Sequence, residues 1–346
     1  MSASSSQPAS APLSPKRSDV QTGVLGTWRN PGIWLILLAI VVVGVWPVVT
    51  QRAATREVIF TVLLSVVLAS SLNIILGYTG YVSFGHIVFF GLGGYVGMYL
   101  LSAQQASLWV AIPVGGLAAA LLAFLLGKAI LRLRGAYFAL ATIGVNEAMR
   151  TFINNFEPFG GPTGISLNLK IYQEYGGAAQ ALWLTYYLLV VFALGAIILS
   201  FMVKTSKFGL GLVAIREDED AAEVMGVITP NAKTWAYVLS AILPGMVGVL
   251  FYFKNGNVEP GDAFRLHFSI ELLVMVMLGG FGTVLGPVIG AAGYQRLRGF
   301  LLTSPLFKDI QLAVAGVLLL VIILFIPAGA VGWLRNRFPV LRRVLP

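Results

Sequence analysis

The sequence predicts an all-α, polytopic membrane protein with about eight to ten transmembrane helices, some of them broken by glycine. Of its 346 residues, 58% are hydrophobic, against about 45–50% in soluble domains. Charged residues make up 11% of the chain, against about 25% in such domains. The apolar residues also fall in runs close to the roughly 20 residues that a helix needs to cross a bilayer. Most of the chain is therefore expected to lie in membrane lipid.

Ten apolar runs define the expected helices, in chain order. They lie at Ile33–Val49 and near residues 58–77, 84–102, 108–131, 136–152, 182–203, 233–253, 268–280, 284–303 and 310–327. The run at 268–280 is too short to cross unless its helix continues through the glycines at 279, 280 and 282. The chain therefore makes ten crossings, or eight with a re-entrant pair between 268 and 303.

The segments outside these runs indicate the domain organisation and the orientation. Residues 1–30, rich in Ser, Ala and Pro, are expected to form a flexible N-terminal tail. The membrane domain covers 31–330 and includes a polar loop at 204–232, and a basic tail covers 331–346. Lys and Arg concentrate in alternate linkers, so we expect both termini to be cytoplasmic. The net charge of +9 is then an orientation signal, and no nucleic-acid partner is expected.

Several chemistries are excluded by residues that the chain lacks. It has no cysteine and only two histidines, so thiol chemistry is excluded and no metal site is expected. Gly127-Lys128 is followed by Ala129 and does not form a phosphate-binding loop. The nucleophile pattern Gly-x-Ser-x-Gly around Ser83 would need glycine where Tyr81 stands. We therefore expect no catalytic residue and no bound cofactor.

A polar, glycine-rich block follows the second apolar run. Glycine weakens a helix and also lets helices approach closely, so these residues predict either a broken helix or tight packing. A similar glycine spacing recurs near 279–286, which suggests an internal repeat. The candidate path-lining residues are Asn73, Gly77, Gly80, Ser83, Gly85, Thr142, Gly279 and Gly282. The alternative for the polar ones is a hydrogen bond to their own helix backbone.

Two carboxylates fall inside or beside apolar runs. Such groups face a pathway or a partner, because a charge facing lipid costs several kcal/mol. Glu147 has Arg150 three residues later, so we expect a helical ion pair near the outer interface. Glu271 is placed at the outer interface for similar reasons. The buried-looking His86 is expected to be a packed, hydrogen-bonded residue.

The loop at 204–232 is the most informative polar segment. Its acidic cluster leads into Asp220-Ala221-Ala222-x-x-x-Gly226, which predicts a short helix ended by a glycine C-cap. Small residues on a short, charged helix suit docking into a cleft of another protein. The alternative is a solvated loop whose charges keep it out of the bilayer. Spacing alone leaves both interpretations open.

Four motifs occur in order along the chain. They are Gly77-x-x-Gly80-x-x-Ser83-x-Gly85-His86-x-x-Phe89-x-Gly91-x-Gly93, Arg132-x-Arg134-Gly135-x-Tyr137-Phe138-Ala139-x-x-Thr142, Gly160-Gly161-Pro162-Thr163-Gly164-Ile165 and Leu278-Gly279-Gly280-x-Gly282-Thr283-x-x-Gly286-Pro287. Together they resemble one family, the permease subunit of bacterial ABC importers for branched-chain amino acids, of the LivM type. The likeness extends from about residue 58 to 327. Leu210 and the stretch Pro244-Gly245-Met246-Val247-Gly248 depart from the family pattern.

The resemblance implies a transport subunit of the bacterial inner membrane rather than an enzyme. Its expected partners are a second homologous permease, two cytoplasmic ATPases that carry the ATP and Mg²⁺, and a periplasmic or lipid-anchored binding protein. The expected ATPase contact, as the family's coupling helix, is formed by Arg216, Glu217, Asp220, Ala221, Ala222 and Gly226. A permease for urea or short-chain amides is the nearest alternative substrate class. A secondary transporter or channel is the alternative mechanism.

Overall fold

The computed structural model describes residues 31–303 and 329–337, together with the single positions 313, 316 and 317. Within that part of the chain the secondary structure is almost entirely helical, and the all-α class is confirmed. The helices are α1 (Pro31–Thr50), α2 (Ala53–Thr79), α3 (Ile87–Ala103), α4 (Leu108–Ile130), α5 (Ala136–Asn154), α6 (Ala178–Thr205), α7 (Lys207–Glu217), α8 (Glu219–Val224), α9 (Thr229–Asn255), α10 (Pro260–Ala263), α11 (Leu266–Gly279), α12 (Leu285–Thr303) and α13 (Gly329–Arg337).

Within residues 31–303, the longest connection between α-helices lies between α5 and α6. This connection contains three short 3₁₀ helices, Glu157–Phe159, Gly161–Thr163 and Leu169–Tyr175. A two-residue strand β1 (Ile165–Ser166) follows the second of them and pairs antiparallel with β2 (Asn257–Val258), which follows α9. The pairing ties the connection to the end of α9.

Among the described residues, five helices are long and apolar enough to cross a membrane: α1, α2, α4, α6 and α9. Helix α3 is apolar but has only 17 residues. The runs predicted between residues 33 and 303 each coincide with a helix, whereas the run at 310–327 and the tail at 1–30 lie outside the described residues. The polytopic architecture is thus the predicted one.

Helices α3, α4 and α9 form the tightly packed centre of the molecule. A Cβ added at Gly93 of α3 would lie 2.7 Å from the carbonyl carbon of Gly245 in α9. A Cβ added at Gly245 would lie 2.6 Å from the Cβ of Ala119 in α4. Neighbouring backbones can approach this closely only where side chains are this small. Gly245 belongs to the stretch that departs from the family pattern. The helices nevertheless pack closely at this residue.

Two glycine breaks interrupt the helical structure. Helix α2 ends at Gly80, whose φ of +76° is a left-handed conformation that favours glycine. Residues 80–86, the first glycine break, then lead without a regular helix into α3. Residues 280–284 form the second glycine break, which joins α11 and α12 as an antiparallel pair. Helix α11 therefore ends at Gly279 and does not continue through the glycines.

Candidate functional site

The segment predicted to contact an ATPase consists of two short helices, α7 and α8, joined at one residue. The Asp218 carboxylate lies at the junction and accepts hydrogen bonds from the amides of Asp220 and Ala221, each at 3.0 Å. This is the N-cap arrangement that begins a helix. Gly226, with φ of +90°, follows α8 and donates its amide to the Glu223 carbonyl. The predicted short helix with a glycine C-cap is therefore present.

The predicted contact residues do not all lie on the surface of this segment. Glu217, Asp220, Ala221 and Gly226 are exposed. Ala222 is buried, with only 2% of its surface accessible, so it packs against its own chain. The one-dimensional spacing could not show which alanine faces inward.

An exposed apolar group lies beside them, and sequence reasoning missed it. Val224, Met225 and Ile228 have 90%, 84% and 69% of their surfaces accessible. We refer to these three residues as the apolar tip. They stand between an acidic cluster and the start of α9, where lipid-facing residues are not expected. The available signal was the unexplained Val224-Met225 pair inside a polar loop.

Arg216 contacts residues at the two glycine breaks. Its Nη1 donates to the Gly77 carbonyl at 2.9 Å, close to the end of α2. Its guanidinium lies 5.9 Å from the ring centre of Phe281, in the second break. Its Cγ would be only 3.0 Å from a Cβ placed at Gly80. The last turn of α7 is thus bound to both breaks.

A buried ion pair connects α8 to the first glycine break. The Lys233 ammonium donates to Glu219 Oε1 at 2.6 Å, to the Leu131 carbonyl at 2.7 Å and to the Tyr81 hydroxyl at 2.9 Å. The Tyr81 hydroxyl donates to the other carboxylate oxygen of Glu219 at 2.8 Å. We refer to Tyr81, Glu219 and Lys233 as the tyrosine–ion cluster. The side chain of Lys233 is 3% exposed and that of Glu219 is 13% exposed.

A second ion pair extends this cluster to the solvent. Arg134 Nη2 contacts Asp220 Oδ1 at 2.8 Å, and Arg134 Nε lies 3.5 Å from Glu219 Oε2. Its hydrogen bond to Asp220 raises the pKa of the Arg134 guanidinium, and the same bond lowers the pKa of the Asp220 carboxyl. Burial acts to raise the pKa of Glu219, but the hydrogen bonds from Lys233 and Tyr81 outweigh it and the pKa falls. Both carboxylates are therefore ionised at neutral pH.

A cavity of about 560 Å³ lies between the first glycine break, the start of α5 and the two short helices α7 and α8. It is open on one side, and its wall includes both break backbone and cluster side chains. The lining residues are Thr79, Gly80, Tyr81, Val82, Phe84, Arg134, Gly135, Ala136, Ala139, Ile215, Arg216 and Glu219. The break can therefore change its shape here without displacing close-packed side chains.

Five of the predicted path residues come together where the two breaks meet. The Asn73 side chain is completely buried and accepts from the Gly282 amide at 2.9 Å. It also donates to the Thr283 carbonyl at 3.0 Å. A Cβ added at Gly77 would lie 2.5 Å from the same Gly282 amide nitrogen. Asn73, Gly77 and Gly282 thus hold the breaks against each other. Gly80 is the first residue of the first break, and Gly279 directly precedes the second.

The other three path residues, Ser83, Gly85 and Thr142, form a second group. The Thr142 hydroxyl accepts from the Phe84 amide at 3.1 Å and donates to the Ala139 carbonyl at 2.7 Å. The hydroxyl is therefore hydrogen-bonded both to the backbone of its own helix and to the backbone of the first break. Gly85 packs directly on the Thr142 backbone, and Ser83 is buried nearby in the chain. Both alternatives for the glycines hold, since the chain is broken at Gly80 and closely packed at Gly85.

The two carboxylates singled out in the apolar runs, Glu147 and Glu271, both form ion pairs. Arg150 Nη1 lies 3.3 Å from Glu147 Oε1, so the predicted helical ion pair is confirmed. Glu271 is buried, and it pairs with Arg298 of α12 at 3.0 Å and with His267 at 3.4 Å. His86 is also buried, with its ring edge-on to Phe89. Within residues 31–303 and 329–337, no three Asp, Glu or His side chains come together as metal ligands.

Comparison with known proteins identifies the family of the chain. The profile of the family described as "Branched-chain amino acid transport system / permease component" matches residues 54–323. The chain belongs to this family. The resemblance stated from its motifs, over residues 58–327, is confirmed. The chain is accordingly a member of a family of transport permeases, and its apolar helices make it a multi-pass membrane protein.

Individual relatives are similar over most of the chain. It is 32% identical to the LivM permease of Escherichia coli over 281 residues, which is 74% of this chain and 66% of that protein. It is 27% identical to LivM of Salmonella typhimurium, over 85% of this chain and 74% of that protein. Identity to LivH of the same organism is 22%, over 77% and 90% of the two chains. No solved structure matches the chain.

Proposed function

We propose that this chain is the LivM-type membrane subunit of an ATP-driven importer of branched-chain or other apolar amino acids. Both LivM and LivH relatives are named as permease proteins of a branched-chain amino acid transport system. This chain is 32% and 27% identical to the LivM proteins of Escherichia coli and Salmonella typhimurium, against 22% identity to LivH of Salmonella typhimurium. A LivH-like subunit is therefore the second permease in the proposed assembly.

The observation that carries the proposal is the apolar tip on α8 and the loop after it. An apolar group next to five acidic residues, at positions 217–220 and 223, is unfavourable in water and suits a cleft of another protein. An ATPase subunit that covers the tip would transmit its movement to α7 and α8. Two such ATPases would hold the ATP and Mg²⁺, and this chain would bind neither.

The mechanism that follows is alternating access driven from the cytoplasmic side. ATP binding closes the two ATPases, and the docked α7 and α8 move with them. Because Arg216 binds the end of α2 and Glu219 binds Tyr81 in the first glycine break, that movement reaches the break directly. The break then changes the path for the substrate. In this scheme both termini are cytoplasmic, the membrane is the bacterial inner membrane, and selectivity resides largely in a separate binding protein outside it.

The test is transport by the complete assembly in liposomes. The chain is reconstituted with its cognate permease, ATPases and binding protein, with ATP inside and labelled leucine outside. We expect leucine accumulation that requires hydrolysable ATP and persists when ionophores dissipate ion gradients. Uptake that is lost with the ion gradient while ATP remains would instead identify a secondary transporter.

Two controls separate the remaining alternatives. Labelled urea and acetamide are offered under the same conditions, and accumulation of these in place of leucine would identify the amide permease. The chain is also reconstituted alone, where we expect no accumulation of any of these solutes. Accumulation by the chain alone would refute the proposal, because the chain would then need no ATPase.

A further inference from the structure

We propose that the tyrosine–ion cluster transmits movement from α8 to the first glycine break, with Tyr81 as the positioning residue. This inference rests on the proposed function, since it concerns how an ATPase-driven movement reaches the path. Glu219 and Lys233 lie outside the four motifs that carry the family resemblance. Tyr81 lies within the first motif, at an unspecified position between Gly80 and Ser83. The cluster therefore adds a specific connection to the general scheme.

The cluster is built as a rigid connection. Lys233 uses all three of its protons, on Glu219, Leu131 and Tyr81. Both oxygens of Glu219 are occupied, one by Lys233 and the other by Tyr81. Removing one partner from a buried ammonium costs much free energy. The three groups therefore either separate completely or move as one unit. Short contacts at 2.6–2.9 Å between nearly buried groups make the second outcome the favoured one.

The position of Tyr81 in the chain gives the connection its direction. Tyr81 directly follows Gly80, the left-handed residue that ends α2. Arg216 of α7 holds the Gly77 carbonyl on the helical side of Gly80, and Glu219 of α8 holds Tyr81 on the other side. The two helices are joined only through Asp218, in extended conformation. A rotation of α8 relative to α7 would therefore act on the backbone across Gly80.

Space for that movement exists beside the cluster. The cavity of about 560 Å³ is lined by Gly80, Tyr81 and Glu219, and it lies against the break. Glycine at position 80 adds backbone freedom, because it adopts both left- and right-handed conformations at low cost. Helices α3, α4 and α9, by contrast, are in close backbone contact at their glycines. The first break is thus the part of this region best able to follow α8.

Substitution of Tyr81 by phenylalanine tests the connection with the least disturbance. Tyr81→Phe removes one hydroxyl and leaves Lys233 paired with Glu219, so α8 stays folded but loses its contact with the break. The control is Tyr137→Phe, at a tyrosine that is 74% exposed on α5. The measurement is leucine transported per ATP hydrolysed by the complete reconstituted assembly. We expect Tyr81→Phe to retain its ATPase rate and to lower this ratio by roughly tenfold, because bonds to charged groups are the strong ones.

A second measurement follows the movement itself. The chain has no cysteine, so spin labels can be placed at Val82→Cys and Ala221→Cys without background. In the otherwise wild-type assembly we expect the distance between the labels to stay constant between the nucleotide-free and ATP-bound states. With Tyr81→Phe added, we expect that distance to change on ATP binding, because α8 then moves without the break.

Each outcome decides between the two proposals. An unchanged transport ratio in Tyr81→Phe overturns the role of the cluster and leaves the proposed function intact, because the wild type still transports. Equal losses of ATPase and transport, with less assembled complex, show a structural role only and also overturn it. No ATP-dependent uptake by the wild type overturns the proposed function itself.

Discussion

Docking of an ATPase on the apolar tip can be tested by changing the polarity of two side chains and keeping their shapes. Val224→Thr is isosteric, and Met225→Gln has nearly the same length. Since 90% and 84% of these surfaces are accessible, neither change should affect the fold of the free chain. Any effect should therefore appear in binding.

The size of that effect follows from the area that a partner can cover. Complete burial of a valine or methionine side chain contributes about 1.5–3 kcal/mol. A docking cleft covers part of each side chain, so we expect the double variant to lose roughly 3 kcal/mol of binding free energy. Because 1.4 kcal/mol corresponds to a factor of ten, the Kd should rise about a hundredfold.

The assay is binding of the purified ATPase subunits to the detergent-solubilised chain immobilised on a biosensor. Val224→Ile combined with Met225→Leu is the matched control, because it keeps both side chains apolar and should bind like the wild type. The acidic residues are unchanged in every variant, so electrostatic attraction is constant. Equal Kd values for the polar variant and the control would refute docking on the apolar tip.

Three further predictions concern the stability of the folded chain. Ala222→Glu should lower the thermal unfolding midpoint of the isolated chain, because a charge replaces a methyl group that is 2% exposed; an unchanged midpoint would place Ala222 on the surface. Asn73→Leu should cost about 2–4 kcal/mol, since it leaves the Gly282 amide and the Thr283 carbonyl unpaired, whereas the exposed Asn231→Leu should cost little in the same denaturation assay. The lowered pKa of Glu219 stabilises the chain above the ordinary carboxyl value of 4.5 and ceases to do so as pH falls through the lowered value. The melting difference between the wild type and Glu219→Gln should therefore shrink as the pH falls below 4.5, and a difference independent of pH would contradict the ionised cluster.

The helices were predictable from sequence, because an apolar run of about 20 residues has few alternatives in a chain of this composition. The glycine breaks were predictable for a related reason. Gly80 and Gly282 both adopt left-handed conformations that other residues rarely accept, so their presence is visible in the sequence. The short helix before Gly226 was recognised from the same kind of local signal.

The tyrosine–ion cluster could not be predicted, because its members are far apart in the chain. Tyr81, Glu219 and Lys233 come from the first break, α8 and α9, and periodicity within one helix carries no information about such contacts. Lys233 was counted only among the basic linker residues that indicate orientation, and Arg134 was counted there and as part of a family motif. The hydrogen bonds that join Asn73 of α2 to the second break could not be predicted for the same reason.

Helices α7 and α8 each make one contact near Gly80, and in the proposed mechanism both contacts are needed to move the first break. If only Arg216 were bound, α7 would pull on the end of α2. The helices packed against α2 would resist that pull, and the break would not move. If only Glu219 were bound, α8 would pull Tyr81 with no fixed point on the other side of Gly80. With both contacts, α7 fixes the helix end and α8 moves the residue that follows it. A change in the angle between two short helices can then become a change in the backbone at a single glycine. Lengthening the α7–α8 junction by one glycine after Asp218 should therefore reduce transport per ATP even though every side-chain contact can still form, and an unchanged ratio in the reconstituted assembly would show that the angle at Asp218 is not what the break responds to.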